Sequence, residues 1–321
     1  MLSLSDKWVW DFWFVRDGPD HHLFYLQAPR ALGDPDLRHW HATIGHAVSL
    51  DLQQWELLPD VLGPGTPGAW DDGPIWTGTI VAADGGWKLF YTGTSHAERL
   101  LVQRIGVATS KDLVTWDRSP TNPVLEVDPK WYETLDLSAW HDQAWRDPFV
   151  FEDPDGRGTY HALITARARA GPVDRRGVIA HASSSDLEQW EIGPPLAIPR
   201  EHGHLEVPQL TSLGGRWYLL VSNDAAHHAS DWERRHGRAP RGGTYVLVGD
   251  RPLGPFAMLD DAPLGAELPE TLYAGKLVAV GPGSWVLLAF VLDSGDGSFG
   301  GYITDPIPVT VGPDGSLVLG G

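Results

Sequence analysis

The sequence predicts an all-β protein, a single five-bladed β-propeller over residues 1–321 with an active site in its central funnel. Three observations predict this class: the composition, five similar hairpin patterns and a repeated turn motif. The 321 residues include 37 Gly and 26 Pro, and 21% are charged. This composition favours short strands joined by tight turns over long surface helices. One helix-like stretch is expected, from Ala225 to Arg238.

Each predicted hairpin consists of two extended runs joined by a turn rich in Gly, Pro or Asp. In order, the hairpins cover Asp11–Gln27, Ile75–Thr92, Asp147–Thr165, Val207–Ser222 and Tyr273–Leu292. They begin roughly every 65 residues, a period typical of propellers and arrays. Five such units packed radially close a common core and leave only short sheet edges exposed.

A turn motif, Ser-x-Asp-Leu-x-x-Trp, follows each of the first three hairpins. Its copies end at Trp55, Trp116 and Trp190. We interpret the motif as structural, with Ser and Asp binding turn backbone and with Leu and Trp packing between sheets. The runs 305–311 and 315–319 are expected to be closing strands, so no C-terminal β-sandwich is predicted.

Charge and composition exclude several classes of partner. The chain has 24 basic and 42 acidic residues and a net charge of -18, which repels nucleic acid and anionic membranes. It contains 0 Cys, so thiolate nucleophiles and thiolate metal sites are impossible. The N-terminal residues resemble no secretion signal and no run is long enough to span a membrane, so we expect a cytoplasmic protein.

Three carboxylates lie at the starts of hairpins, where a propeller brings innermost strands together around its funnel. Asp11 lies among aromatic residues, Asp147 follows Arg146, and Glu206 precedes the fourth hairpin. Glycoside hydrolysis requires such a set, because one carboxyl group protonates the leaving oxygen while another acts as nucleophile or activates water. The sequence therefore favours a glycosidase acting on a small carbohydrate.

Four motifs resemble the furanosidase clan of glycoside hydrolase families 32 and 68, which includes β-fructofuranosidases and levansucrases. Residues 44–59 resemble the family 32 pattern Gly-His-Ala-x-Ser-x-Asp-Leu-x-x-Trp, and residues 72–79 resemble its Phe/Trp-Ser-Gly-Ser element. Arg146-Asp147-Pro148 matches Arg-Asp-Pro, and residues 206–209 resemble Glu-Cys-Pro-Asp. Around Asp11, the sequence is closer to the levansucrase pattern Val-Trp-Asp-Ser-Trp than to the family 32 pattern Trp-Met-Asn-Asp-Pro-Asn-Gly.

The resemblance implies that Asp11 is the nucleophile, that Asp147 binds ring hydroxyls and stabilises the oxocarbenium-like transition state, and that Glu206 is the general acid and base. For these roles Glu206 needs a raised pKa and Asp11 must stay ionised. Around the trio, we expect sugar contacts from Trp13, Trp40, Trp76 and Arg146. No metal or cofactor is expected, because neither His202-Gly203-His204 nor His227-His228 has the spacing of a known metal site.

The leading functional hypothesis is a retaining β-fructofuranosidase. A levansucrase-like fructosyltransferase remains open, since hydrolysis and transfer differ only in the acceptor that reaches the glycosyl-enzyme. An arabinofuranosidase or another furanosidase is also open. The hypothesis from a different class is a sugar-binding propeller without catalytic activity, which the presence of all three carboxylates disfavours.

Overall fold

The computed structural model describes residues 1–320, which form five four-stranded antiparallel sheets. In each sheet the strands follow one another in chain order. Blade one contains β1 (Lys7–Asp17), β2 (Asp20–Pro29), β3 (Thr43–Ser49) and β4 (Glu56–Leu58). Blade two contains β5 (Ile75–Ala83), β6 (Gly86–Gly93), β7 (Arg104–Ser110) and β8 (Asp117–Arg118).

The remaining three blades repeat this meander. Blade three contains β9 (Trp145–Glu152), β10 (Tyr160–Arg167), β11 (Gly177–Ser184) and β12 (Glu191–Ile192). Blade four contains β13 (Glu206–Leu213), β14 (Arg216–Asn223), β15 (Gly243–Gly249) and β16 (Ala257–Met258). Blade five contains β17 (Thr271–Gly281), β18 (Ser284–Asp293), β19 (Ile307–Val311) and β20 (Leu317–Leu319). The five predicted hairpins are thus confirmed as the two inner strands of the five blades.

The blades close into a ring through their innermost strands. β1 packs against β5, β5 against β9, β9 against β13, and β13 against β17, while β17 and β18 return to β1. The N-terminal segment joins blade five, because Leu2 and Ile303, in the connection between β18 and β19, exchange backbone hydrogen bonds of 3.0 and 2.9 Å. Buried apolar side chains fill the spaces between adjacent sheets. Within residues 1–320 the strands β19 and β20 complete the fifth blade, and no β-sandwich is formed.

Helical structure is confined to short connections. The 3-10 segments are Arg30–Leu32, Pro35–His41, Val173–Arg175 and Ala225–His227, and the α-helix is Trp232–His236. The helix expected over 225–238 is therefore interrupted. Its central residues bind another loop instead, since His228 forms a β-bridge with His202 and Ala229 N donates to Glu201 O. None of the helices in residues 1–320 has the length and apolar character needed to cross a bilayer.

The repeated turn motif has the structural role that the sequence predicts. In the third copy, Ser184 Oγ accepts hydrogen bonds from the backbone N of Asp186 and Leu187, and Asp186 Oδ1 accepts from Glu188 N and Gln189 N. The copies at Ser49 and Ser110 form the same bonds. The motif thus satisfies the turn backbone and buries its Leu.

Candidate active site

A β-bulge interrupts the innermost strand of every blade. The register of the two inner strands shifts next to Asp11, Thr77, Asp147, Val207 and Ala274. Four of these residues, all except Thr77, have positive φ values, from 23° at Asp11 to 55° at Asp147. A bulge bends the strand and changes the direction of a side chain. The five bulges therefore form a ring of redirected residues around the central funnel.

The three predicted carboxylates line one cavity of about 460 Å³. Asp11 and Asp147 occupy bulges, and Glu206 immediately precedes the bulged Val207. All five blades contribute to the cavity wall, and Tyr273 and Phe290 come from blade five. The structure thus brings together three carboxylates that are 59 to 195 residues apart in the sequence.

One carboxylate oxygen of Asp11 has no hydrogen-bond partner within residues 1–320. Its Oδ2 accepts a hydrogen bond of 3.3 Å from Thr77 Oγ1, whereas its buried Oδ1 has no hydrogen-bond partner within residues 1–320. Two cations lie near it: the buried Arg38 guanidinium and the Lys276 ammonium. Lys276 Nζ donates to the carbonyl oxygens of Val207 and Pro208, at 2.9 and 3.1 Å.

Asp147 is held firmly through one of its two oxygens. Oδ2 accepts hydrogen bonds from Thr165 Oγ1 at 2.9 Å and from Val207 N at 3.2 Å. The Asp147 backbone N donates to Thr92 Oγ1 at 3.0 Å. Because these contacts come from blades two, three and four, Asp147 is fixed by the ring of inner strands and not by its own strand alone.

Glu206 is bound by two strong donors. Arg146 Nη2 donates to its Oε1 at 2.7 Å, and Tyr273 Oη donates to its Oε2 at 2.5 Å. Arg146 also binds Asp142 and Gln103, at 3.2 and 3.0 Å. Such charge-assisted bonds are roughly twice as strong as neutral ones, so Glu206 has a fixed orientation.

The protonation of the trio differs from the expectation. Burial, together with the charges of Asp147 and Glu206, raises the pKa of Asp11 to about 8. Burial alone would raise the pKa of Glu206, but the His204 and Arg146 charges and the bonds from Tyr273 and Arg146 lower it to about 2. The free site thus has the reverse of the expected order, because burial raises the pKa of Asp11 while the His204 and Arg146 charges hold the pKa of Glu206 low.

The predicted sugar-contact residues divide into two groups. Trp40, Trp76 and Arg146 line the carboxylate cavity, and Trp40 is 47% exposed. Trp76 is fixed by a hydrogen bond of 2.9 Å from its indole nitrogen to His39 O. Arg146 binds protein carboxylates, as described above.

Trp13 lies outside the carboxylate cavity, in contrast to its predicted sugar contact. It is 4% exposed, stacks on Phe24 and lines a different cavity, which lies further along the inner strands. The two cavities share Thr77 and Asp147, but Trp13 lines only the second one and packs in the core.

Several cavity residues were not predicted. Tyr273 begins the fifth hairpin, and this position places it at the funnel in the same way as the carboxylates. No sequence signal identifies Arg38, which lies in the connection between β2 and β3 and has its guanidinium 4.2 Å from the Phe299 ring centre.

A histidine group also joins the cavity. His204, Asp224 and His227 lie together on its blade-four side. Within each histidine pair the spacing matches no known metal site, whereas the fold combines one histidine of each pair with Asp224.

The sequence profile of the glycosyl hydrolases family 32 N-terminal domain matches residues 14–241. Among curated proteins, β-fructofuranosidase 1 of Zea mays is 32% identical over 152 residues, covering 43% of this chain and 21% of that enzyme. A bifunctional fructosyltransferase of Allium cepa is 31% identical over 182 residues, covering 54% of this chain and 26% of that enzyme. The matches thus span about a quarter or less of these relatives' length.

Among solved structures, an inulosucrase from Halalkalicoccus jeotgali bound to kestose superposes with a TM-score of 0.79. The two chains are 24% identical, and the match covers 99% of this chain and 90% of the other. This likeness independently supports the propeller fold.

Proposed function

The chain belongs to glycosyl hydrolase family 32, and we propose that it is a retaining β-fructofuranosidase acting on small fructosides. The observation that carries this proposal is the convergence of Asp11, Asp147 and Glu206 on one cavity. The names of the maize and onion relatives support fructosyl chemistry.

In the proposed mechanism Asp11 is the nucleophile. Its Oδ1, which has no partner within residues 1–320, attacks the anomeric carbon of the fructosyl group as the glycosidic bond breaks. Glu206 gives its proton to the leaving oxygen. Water then attacks the resulting ester, Glu206 recovers a proton from that water, and fructose leaves with its anomeric configuration retained.

Asp147 is proposed to bind the fructosyl hydroxyls. Thr165 and Val207 both donate to Oδ2, which leaves Oδ1 to accept from the sugar. A fixed negative charge beside the ring also stabilises the positive charge that develops at the anomeric centre. Asp147 thereby acts without forming a covalent bond.

The two reacting carboxyl groups share one proton over most of the pH range. With a pKa of about 8 at Asp11 and about 2 at Glu206, the proton resides mainly on Asp11 in the free site. Catalysis requires it on Glu206. We propose that sugar hydroxyls donating to Asp11 and Asp147 favour that transfer, since hydrogen bonds to a carboxylate stabilise its ionised form.

Fructosyl transfer is the second candidate. The onion relative is named as a fructosyltransferase, and the half-exposed Trp40 offers an aromatic face to an acceptor sugar at the cavity wall. An acceptor hydroxyl would then replace water in the second step. The expected cytoplasmic location stays a prediction.

A substrate panel tests the proposal. Sucrose, kestose, inulin, levan and p-nitrophenyl furanosides are assayed with the wild type, Asp11→Asn and Glu206→Gln. Release of fructose by the wild type and its loss in both variants supports the proposal. Full activity in both variants, or cleavage of arabinofuranosides alone, refutes it. Longer products at high sucrose concentration would identify a transferase.

A further inference from the structure

Three metal-ligating side chains meet on the blade-four side of the cavity. His204, Asp224 and His227 each place a ligand atom within 4.8 Å of the other two. His204 Nε2 is 3.6 Å from Asp224 Oδ2, and His227 Nδ1 is 2.6 Å from the same oxygen. Among residues 1–320, no other group of three or more His, Asp or Glu residues has this arrangement.

His204 has unused binding capacity. It is 4% exposed, and neither ring nitrogen has a hydrogen-bond partner within the described chain. Leaving a buried polar group unpaired costs about 1–3 kcal/mol. Its Nε2 faces Asp224, and its Nδ1 faces Glu206 Oε1 at 3.7 Å. A ligand between His204 and Asp224 would satisfy the nitrogen that is otherwise unpaired.

The backbone around the cluster is fixed. Gly203 N donates to His227 O at 2.7 Å, which aligns the loop before β13 with the loop after β14. Below this contact the Asn223 amide lies 3.2 Å from His202 Nδ1 and 3.1 Å from His228 Nδ1. Asp224 in turn accepts from His227 N at 3.0 Å. The backbone segments that carry the three ligands are therefore fixed relative to each other by hydrogen bonds, which favours a preformed site.

The ligand chemistry suits a borderline divalent ion. Two imidazoles and one carboxylate with an open fourth position form a common Zn²⁺ arrangement. Metal–ligand bonds of about 2.0–2.1 Å separate tetrahedral ligand atoms by roughly 3.3 Å, close to the observed gap between His204 and Asp224. His227 must exchange its hydrogen bond to Asp224 for a bond to the ion. We propose that His204, Asp224 and His227 bind one Zn²⁺ or a similar transition-metal ion, and that the bound ion inhibits the enzyme.

Inhibition follows from the position of the cluster. All three ligands line the same cavity as Glu206. A dication at this position would occupy space next to Glu206, the proposed acid for the leaving oxygen. It would also attract the negative charge of the Glu206 carboxylate. This second half of the inference rests on the proposed function, whereas the binding site itself does not.

Titration of tag-free protein, treated with EDTA and then dialysed, tests the binding site directly. Zn²⁺ binding is measured by calorimetry, and Co²⁺ is used as a spectroscopic substitute whose intense visible bands identify tetrahedral coordination. Because the chain has 0 Cys, thiolates cannot contribute. The variants are Asp224→Asn and His227→Gln, with His96→Gln at an exposed position as control. Asn preserves the cap that Asp224 provides to Ala226 N and His227 N.

The wild type and the control are expected to bind one ion, and both cluster variants to bind at least about tenfold more weakly. Thermal unfolding establishes that the variants are folded. Absence of binding by the wild type, or equal affinity in all four proteins, overturns the inference. In assays with a substrate that the wild type cleaves, Zn²⁺ should raise KM, and EDTA should reverse this increase. Binding without any carbohydrate activity would refute the proposed function and leave the site intact; binding without inhibition would overturn the inhibitory role.

Discussion

The guanidinium of Arg146 donates a hydrogen bond of 2.7 Å to Glu206, although the two residues belong to different blades. The sequence analysis predicts a sugar contact for Arg146, which directly precedes Asp147. Its Nε is 3.7 Å from Asp147 Oδ2, beyond hydrogen-bonding distance. Arg146 instead orients Glu206, the proposed acid and base, and is therefore a positioning residue.

The Arg146→Lys variant should lose activity more than stability. A lysine keeps the charge among Asp142, Asp147 and Glu206 but cannot bind two groups through a planar fork. We expect kcat to fall by roughly 10²-fold, with KM changed much less, because misorientation of an acid affects the transition state. Steady-state kinetics on the best substrate measures this. An unchanged kcat would show that the pair does not orient Glu206.

The Asp11→Asn variant should be more stable than the wild type, and increasingly so as the pH rises. The folded-state pKa of Asp11 is about 8, compared with 3.8 for an unperturbed aspartate. Between these values the folded chain retains a proton that the unfolded chain has lost, so the free energy of unfolding decreases as pH rises. Asparagine removes this penalty, and we expect a gain of about 1–3 kcal/mol at pH 8.

Urea unfolding of the two proteins at pH 5 and pH 8 measures the effect, with pH values chosen from this window. The difference in free energy of unfolding between the variant and the wild type should be small at the lower pH and large at the higher pH. An equal difference at both would mean that the Asp11 carboxyl is already ionised in the folded protein.

The pH dependence of kcat/KM should show a loss of activity above about pH 8. The reacting pair needs one proton, and that proton leaves the free enzyme when Asp11 titrates, with a pKa of about 8. The limb of a kcat/KM profile reports the free enzyme, and its apparent pKa belongs to the pair. Activity that persists to about pH 10, two pH units above the expected loss, would contradict the proposal that the two carboxyl groups share one proton.

Trp40 and Trp13 should respond differently to truncation. Trp40 is 47% exposed at the cavity, whereas Trp13 is 4% exposed against Phe24. Trp40→Ala is expected to raise KM by about tenfold through lost stacking with little change in unfolding free energy. Trp13→Ala should cost about 3–5 kcal/mol of stability. Steady-state kinetics and urea unfolding measure both effects. A raised KM for Trp13→Ala together with a loss of stability for Trp40→Ala would indicate that Trp13, and not Trp40, contacts the sugar.

Much of the fold follows from the sequence because its signals are local. Turn residues delimit the five hairpins, and the motif ending at Trp55, Trp116 and Trp190 satisfies its own turn. Propeller topology also places the start of each hairpin at the funnel, so the positions of Asp11, Asp147 and Glu206 are predictable from the sequence.

The features of the site that the sequence does not predict depend on contacts between distant segments. The bulges result from strand pairing, so the separation of Trp13 from the cavity had no sequence signal. The order of the pKa values is reversed because burial raises the pKa of Asp11, whereas the charges of His204 and Arg146 lower that of Glu206. His204 and His227 meet Asp224 only when two loops of blade four align.

The proposed nucleophile can be tested by trapping. p-Nitrophenyl fructofuranoside has a leaving group that needs no proton, so Glu206→Gln should form the fructosyl-enzyme quickly and hydrolyse it slowly. After acid quenching and digestion, mass spectrometry should find one fructosyl ester on the peptide that contains Asp11. The double variant Asp11→Asn/Glu206→Gln should carry none. Turnover of this substrate by the wild type with an ester on another residue, or with no ester on Asp11 in the trapped variant, would contradict the account.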